Sequence, residues 1–123
     1  MTRYFGIATL VAALFLTTSA SLGQDVMKVA SDSHKVLLEN ARVRVLDVRL
    51  KPGEKTAMHS HPASVIYFLT DAKFKYTSPD GKTQEGEGKA GTSIWRGPVT
   101  HTVQNVGTTE AHLIQTELKG EDK

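Results

Sequence analysis

The sequence predicts an all-β domain, built as a sandwich or closed barrel. Three observations carry that prediction. Segments rich in β-branched and aromatic residues recur along the chain, several alternating apolar and polar with period two. Turn signals fall between them every 8–12 residues. No segment after residue 24 shows convincing 3.6-residue periodicity.

The elements follow in order. Residues 24–34 are polar and mixed, and read as a flexible lead-in. From Lys35 the pattern becomes β, with the apolar run Val36-Leu37-Leu38 and a turn at Asn40-Ala41. Arg42-Val43-Arg44-Val45 alternates, and Leu46, Val48 and Leu50 continue on the opposite parity, which predicts a bulge or bend near Leu46. Lys51-Pro52-Gly53-Glu54 places proline and glycine where a type II turn needs them. Strands are expected over 56–61 and 64–70. Lys73 to Thr77 and Lys82 to Glu85 form a hairpin across Ser78-Pro79-Asp80-Gly81, because Pro presets φ and Gly tolerates φ > 0. Thr92 to Trp95, Thr100 to Gln104 and Glu110 to Leu118 complete the strands, with turns at Gly97-Pro98 and at 105–107. The divisions are therefore 24–34 lead-in, 35–119 barrel and 120–123 charged tail.

The first 23 residues read differently. One basic residue, Arg3, precedes the uncharged run from Ile7 to Leu16, and small residues from Thr17 to Gly23 follow it. That order is the order of a secretory signal peptide, with cleavage expected after Ala20 or Gly23. The run is too short for a membrane-spanning helix, which needs ~20 apolar residues. The expectation is a periplasmic or secreted protein with no stable membrane span after cleavage.

Composition narrows the functions. The chain is 39% hydrophobic and 23% charged, enough apolar residue to build a core. A formal charge of +2 without runs of like charge argues against nucleic acid as a partner. The absence of cysteine excludes a thiol nucleophile, a thiolate metal site and disulfides. Any metal must be held by histidine, carboxylate, amide or water.

Two of the five histidines lie in His59-Ser60-His61. Residues i and i+2 of a strand project from one face, so the two imidazoles can meet a single ion. His101 opens a later strand beyond a hairpin, and in an antiparallel barrel that strand can lie beside the first.

Pro52-Gly53-Glu54 through His59-Ser60-His61-Pro62 resembles the first cupin motif. Gly91 through Trp95, His101 and Asn105 resembles the second. The resemblance spans roughly Val36 to Leu118 and is nearest to small single-domain cupins such as the β-alanine degradation proteins. It implies a double-stranded β-helix (jelly-roll) barrel with His59, His61 and His101 as ligands of a divalent transition metal: Fe, Mn, Zn, Ni or Cu. It also implies a homodimer and a small-molecule partner. The chain departs from the pattern in two places. The usual glutamate ligand would fall at Ser64 or Val65, with no nearby carboxylate to replace it. The second motif usually runs proline, glycine, histidine, whereas here the order is Gly97-Pro98 and the turn is one residue short. Three imidazoles without the carboxylate leave a more positive site, which favours an anionic ligand such as a carboxylate or enolate. Three-histidine iron sites in other cupins support dioxygenase chemistry, so the resemblance admits an oxygenase or isomerase. It equally admits a non-catalytic ligand- or metal-binding protein, or a barrel with an empty site.

The remaining candidates read as structural. His112 is expected to be a hydrogen-bonded residue of the barrel wall, and His34 solvated in the lead-in. Trp95, Tyr67, Phe68 and Phe74 are expected in the core or a dimer interface, with one or two able to line a pocket mouth. Arg96, next to the motif turn, is expected at the surface, the alternative being contact with an anionic ligand. Gln104, of opposite parity to His101, should face away. Ser60 and Ser64 lack an activating partner, which argues against a serine hydrolase.

Overall fold

The computed structural model describes residues 23–120, so the predicted signal segment lies outside the described residues save for Gly23. The order is β1 (Gln24–Asp25), α1 (Val26–Val29), β2 (His34–Glu39), β3 (Val43–Leu50), β4 (His59–His61), β5 (Ser64–Phe68), β6 (Ala72–Thr77), β7 (Thr83–Gly88), β8 (Ser93–Arg96), β9 (Val99–Asn105) and β10 (Ala111–Leu118). They build two five-stranded sheets, ordered β1-β4-β9-β6-β7 and β2-β3-β10-β5-β8. From β4 onward the chain crosses repeatedly between the sheets, the winding of a double-stranded β-helix.

Turn chemistry sets the corners. Gly53 has φ +81°, and Glu54 N–H closes the turn onto Lys51 C=O at 3.0 Å, so the residue after Pro52 must accept the left-handed region. The 78–81 hairpin closes with Gly81 N–H donating to Ser78 C=O at 2.9 Å. The expected irregularity near Leu46 is present on the neighbouring strand. The register of β2 against β3 slips between Val36 and Leu38, which pair with Leu46 and Val45, while β3 runs unbroken. The extra residue on β2 is Leu37, left half-exposed.

Alternation decides what faces inward. In β10, Ala111, Leu113, Gln115 and Glu117 are buried and the residues between them are not. Leu46, Val48 and Leu50 of β3, Ile66 and Phe68 of β5, Phe74 of β6 and Leu113 of β10 form the apolar core. Burying each such side chain contributes roughly 1.5–3 kcal/mol. The other part of the interior is polar: His59, His61, His101, His34, Ser64, Gln115 and Glu117 are all buried.

The aromatic side chains divide between the two faces. Phe68 and Phe74 are core residues, but Tyr67 and Trp95 are on the outer face, 42% and 63% exposed. Parity explains this, because each is flanked along its strand by inward-facing neighbours. His112 belongs to the wall as expected, its ring 3.0 Å from the Asp47 carboxylate. Gln104 faces away from the interior and donates to Gly53 C=O.

Residues 24–34 are joined to the barrel. β1 pairs in parallel with β4, aligning Gln24 with His59 and Asp25 with Ser60. Asp25 caps α1 through Met27 N–H, and Val26 is fully buried.

Candidate metal centre

The centre is built where β4 and β9 meet. The two strands are antiparallel neighbours, with His59 directly opposite His101 and His61 opposite Val99. Their ring centroids lie 4.9 Å apart for His59 and His101, and 5.9 Å apart for His61 and His101. The three sequence-predicted rings therefore cluster, each at most 5% exposed. The ring nitrogens that converge within 4.8 Å, however, belong to His59, His61 and His34, with His101 outside that triplet.

The structure corrects the reading of His34. It is 5% exposed rather than solvated, and its ring centroid lies 5.6 Å from that of His59 and 5.7 Å from that of His61. Pairing of His34 with Val48 in the β2–β3 ladder turns it inward across the barrel. One ring nitrogen from each of His34, His59 and His61 lies within 4.8 Å of the others. Three nitrogens on one ion at ~2.1 Å each stand roughly 3.4–3.6 Å apart in tetrahedral or trigonal geometry, so closing the triplet on an ion requires each to move by less than about an ångström.

The tautomers follow from the partners. His59 Nδ1–H donates to Ala57 C=O at 2.7 Å. His61 Nδ1–H donates to Glu117 Oε2 at 2.7 Å. His34 Nδ1 lies 3.1 Å from Ala30 C=O and 2.8 Å from Ser33 Oγ, and that hydroxyl itself donates to Ala30 C=O, so Nδ1 carries the hydrogen. With Nδ1 so engaged, Nε2 is the nitrogen left to face an ion on all three rings. An oriented imidazole whose distal N–H is held by a carbonyl or carboxylate is the usual support of a metal-ligating histidine. His59 Nε2 and His101 Nδ1 are buried without a hydrogen-bond partner. An acceptor left this way costs about 1–3 kcal/mol unless something else satisfies it. These residues fit a metal ion.

Electrostatics favours the ligand form. Burial pushes His59 down to about 4, His34 to about 3 and His101 to about 2, with the neighbouring histidines adding to the effect. All three are neutral at pH 7, the state a metal requires. Glu117 is 1% exposed. Burial raises its carboxyl, but the hydrogen bonds from His61 and Arg44 outweigh that and hold it below its ordinary value. Arg44 bridges Glu117 to Asp25, meeting Asp25 at 2.6 and 3.1 Å, and this ties the 24–34 segment to the centre. The place of the expected glutamate is taken by Ser64, fully buried and hydrogen-bonded to Gln115 Nε2 at 3.0 Å.

Glu117, Gln115 and His34 were not identified in the sequence as site residues. The inward parity of the last strand marks Glu117 and Gln115 as buried polar groups, the signal that could have found them. Arg96 is also corrected. Its parity is inward, and its guanidinium carbon lies 4.5 Å from the centroid of the Tyr76 ring.

A buried histidine cluster inside a double-stranded β-helix places the chain in a recognisable class. It is 33% identical over 86 residues to the β-alanine degradation protein BauB of Pseudomonas aeruginosa, an alignment covering 68% of this chain and 90% of that protein. A cupin domain from Bordetella pertussis is 29% identical, covers 71% of this chain and 92% of its own, and superposes with a TM-score of 0.65. A double-stranded β-helix protein from Klebsiella pneumoniae shares the fold at 22% identity and a TM-score of 0.57, covering 73% of this chain and 78% of its own. No family model matches the chain. The chain belongs to the cupin superfamily, together with its relative BauB.

Proposed function

We propose that this protein is an exported cupin that holds one divalent transition metal with His34, His59, His61 and His101 and acts on a small organic acid as a homodimer. One observation carries the metal reading: three buried imidazoles each bring one ring nitrogen within 4.8 Å of the others while their Nδ1 atoms lie against fixed oxygen partners. The unpartnered His101 Nδ1 supports a fourth donor from β9. The donor set suits Fe, Mn, Zn, Ni or Cu. A metal bound here supplies Lewis-acid or oxygen-binding chemistry. The protein's part is to hold neutral, oriented imidazoles and to keep the apolar wall of Ile66, Leu113 and Phe74 against them.

Export is supported by Arg3, the apolar run 7–16 and the small residues that follow. Dimerisation is supported by the outer face of the second sheet. There Trp95, Val65, Thr116, Val45 and Leu38 are successive cross-strand partners, forming an apolar row broken by one threonine.

The test is metal content by mass spectrometry on untagged protein. Wild type is expected to carry near one equivalent after reconstitution. The His59→Ala/His61→Ala/His101→Ala variant is expected to carry none while still folded. His34→Ala alone is expected to bind at least tenfold more weakly. Equal, negligible metal in wild type and variant would refute the metal reading. Unchanged affinity in His34→Ala would remove that residue from the donor set.

A further inference from the structure

Arg96 ends β8 with Ser64 as its cross-strand partner and shares the inward parity of Ile94. Arg96 is half-buried where it lines an open cleft, and a charge drawn partly away from water still gains from a partner. The arginine ion pairs among the described residues are those of Arg44 and Arg49, and Arg96 has no carboxylate. What it has is an aromatic face. Its guanidinium lies over Tyr76, and the Tyr76 ring is in turn stacked on His101 at 5.5 Å with 17° between the planes. Gly86 on β7 leaves room for this ring, since a Cβ there would come within 2.9 Å of Tyr76 Cε2. A cation–π contact fixes where the guanidinium sits and leaves its N–H donors unspent.

The position is equally telling. An open cleft of about 640 Å³ and a small interior cavity of about 40 Å³ at the histidine cluster are both bounded by Arg96, Tyr76 and His101. Arg96 thus borders both the cleft and the cavity at the histidines. Glu85 and Glu87 of β7 also line the cleft, but they alternate with Gly86 and Gly88 and so have the parity opposite to the inward-facing side of Gly86 and Tyr76.

We infer that Arg96, held on Tyr76, is the anion-binding residue of this site, and that it takes the carboxylate of a small organic acid whose other end faces the histidine cluster. The planar fork of a guanidinium matches a carboxylate in bidentate fashion. The absence of a carboxylate at positions 64 and 65 leaves the metal end positive as well, so a ligand acidic at both ends complements both. The inference rests on the metal reading for the second contact only. The contact at Arg96 stands on the protein's own residues.

The test titrates malonate, acetate, acetamide and inorganic phosphate into the full mature chain, metal-free and Co²⁺-loaded. Calorimetry and the cobalt absorption bands serve as readouts, on wild type, Arg96→Gln, Arg96→Lys and Tyr76→Leu. Wild type should bind malonate, with acetate weaker and acetamide undetected. Arg96→Gln should lose at least tenfold in malonate affinity with its cobalt content unchanged. Arg96→Lys should recover part of that loss, and Tyr76→Leu should weaken binding while keeping the charge. Phosphate bound more tightly than malonate, or malonate bound equally by wild type and Arg96→Gln, would overturn the inference. If wild type takes up no cobalt, the metal reading fails separately. The Arg96 comparison is then decided on the metal-free protein by the same tenfold criterion.

Discussion

Replacing Glu117 by glutamine should damage both the fold and the centre, and the structure sets the size of the effect. One carboxylate oxygen accepts from His61 Nδ1–H and the other from Arg44 Nε–H, in a site 1% exposed. Hydrogen bonds to a charged group are worth ~1.5–3 kcal/mol each. Glutamine keeps one acceptor oxygen and turns its NH₂ toward the other donor, so one contact is lost and one is weakened. Arg44 is not left alone, because Asp25 still holds it with two contacts. That keeps the cost below the ~3–5 kcal/mol of a stranded buried charge. The expected loss is about 2–4 kcal/mol. For a domain of about 100 residues this corresponds to a Tm drop of roughly 10–25 °C. Urea unfolding of the metal-free chain measures the first quantity. Chelator competition measures the second effect, a metal affinity lowered about 10–100-fold because His61 loses its orienting partner. Glu117→Asp should fall between. A stability change within ~0.5 kcal/mol together with unchanged metal affinity would refute the reasoning.

Two further outcomes are expected. The metal-free protein should lose stability as pH falls below about 6.5, where unfolded histidines begin to take up protons that folded His34, His59 and His101 refuse until about 3, 4 and 2. The sign follows from the unfolded state binding more protons, and each histidine contributes up to ~1.4 kcal/mol per pH unit within its window. A urea midpoint that stays flat from pH 7 to pH 5 would contradict the burial of these rings. If the protein dimerises through the outer face as proposed, Trp95→Lys should shift it to a monomer in sedimentation while leaving metal content unchanged; a monomeric wild type would refute the dimer. An unchanged dimer would place the interface elsewhere.

Much of the barrel was legible in the sequence because its signals are local. The Pro52-Gly53 corner, the 78–81 hairpin and the alternation of β6 and β10 each depend on residues within a few positions of one another, and all appear where their chemistry puts them. His59 and His61 share a face because a strand has period two, and their meeting with His101 follows once β4 and β9 pair.

The rest of the site depended on contacts between distant positions. His34 stands in a polar stretch without periodicity, and only its ladder to Val48, with α1 folding Ala30 C=O beneath its ring, turns it inward. Glu117 lies 56 residues beyond His61 and meets it because their strands face each other across the interior. Arg96 looks like a surface arginine beside a turn until the parity of β8 and the stack on Tyr76 are seen. The sequence by itself determined the class of fold and three of the clustered histidines, since strand period and turn geometry are local properties of the chain. Tertiary structure alone decided the fourth histidine, the carboxylate behind the centre and the cation at its mouth. Cross-barrel proximity is a property of sheet register and packing, and no spacing within a single strand records it.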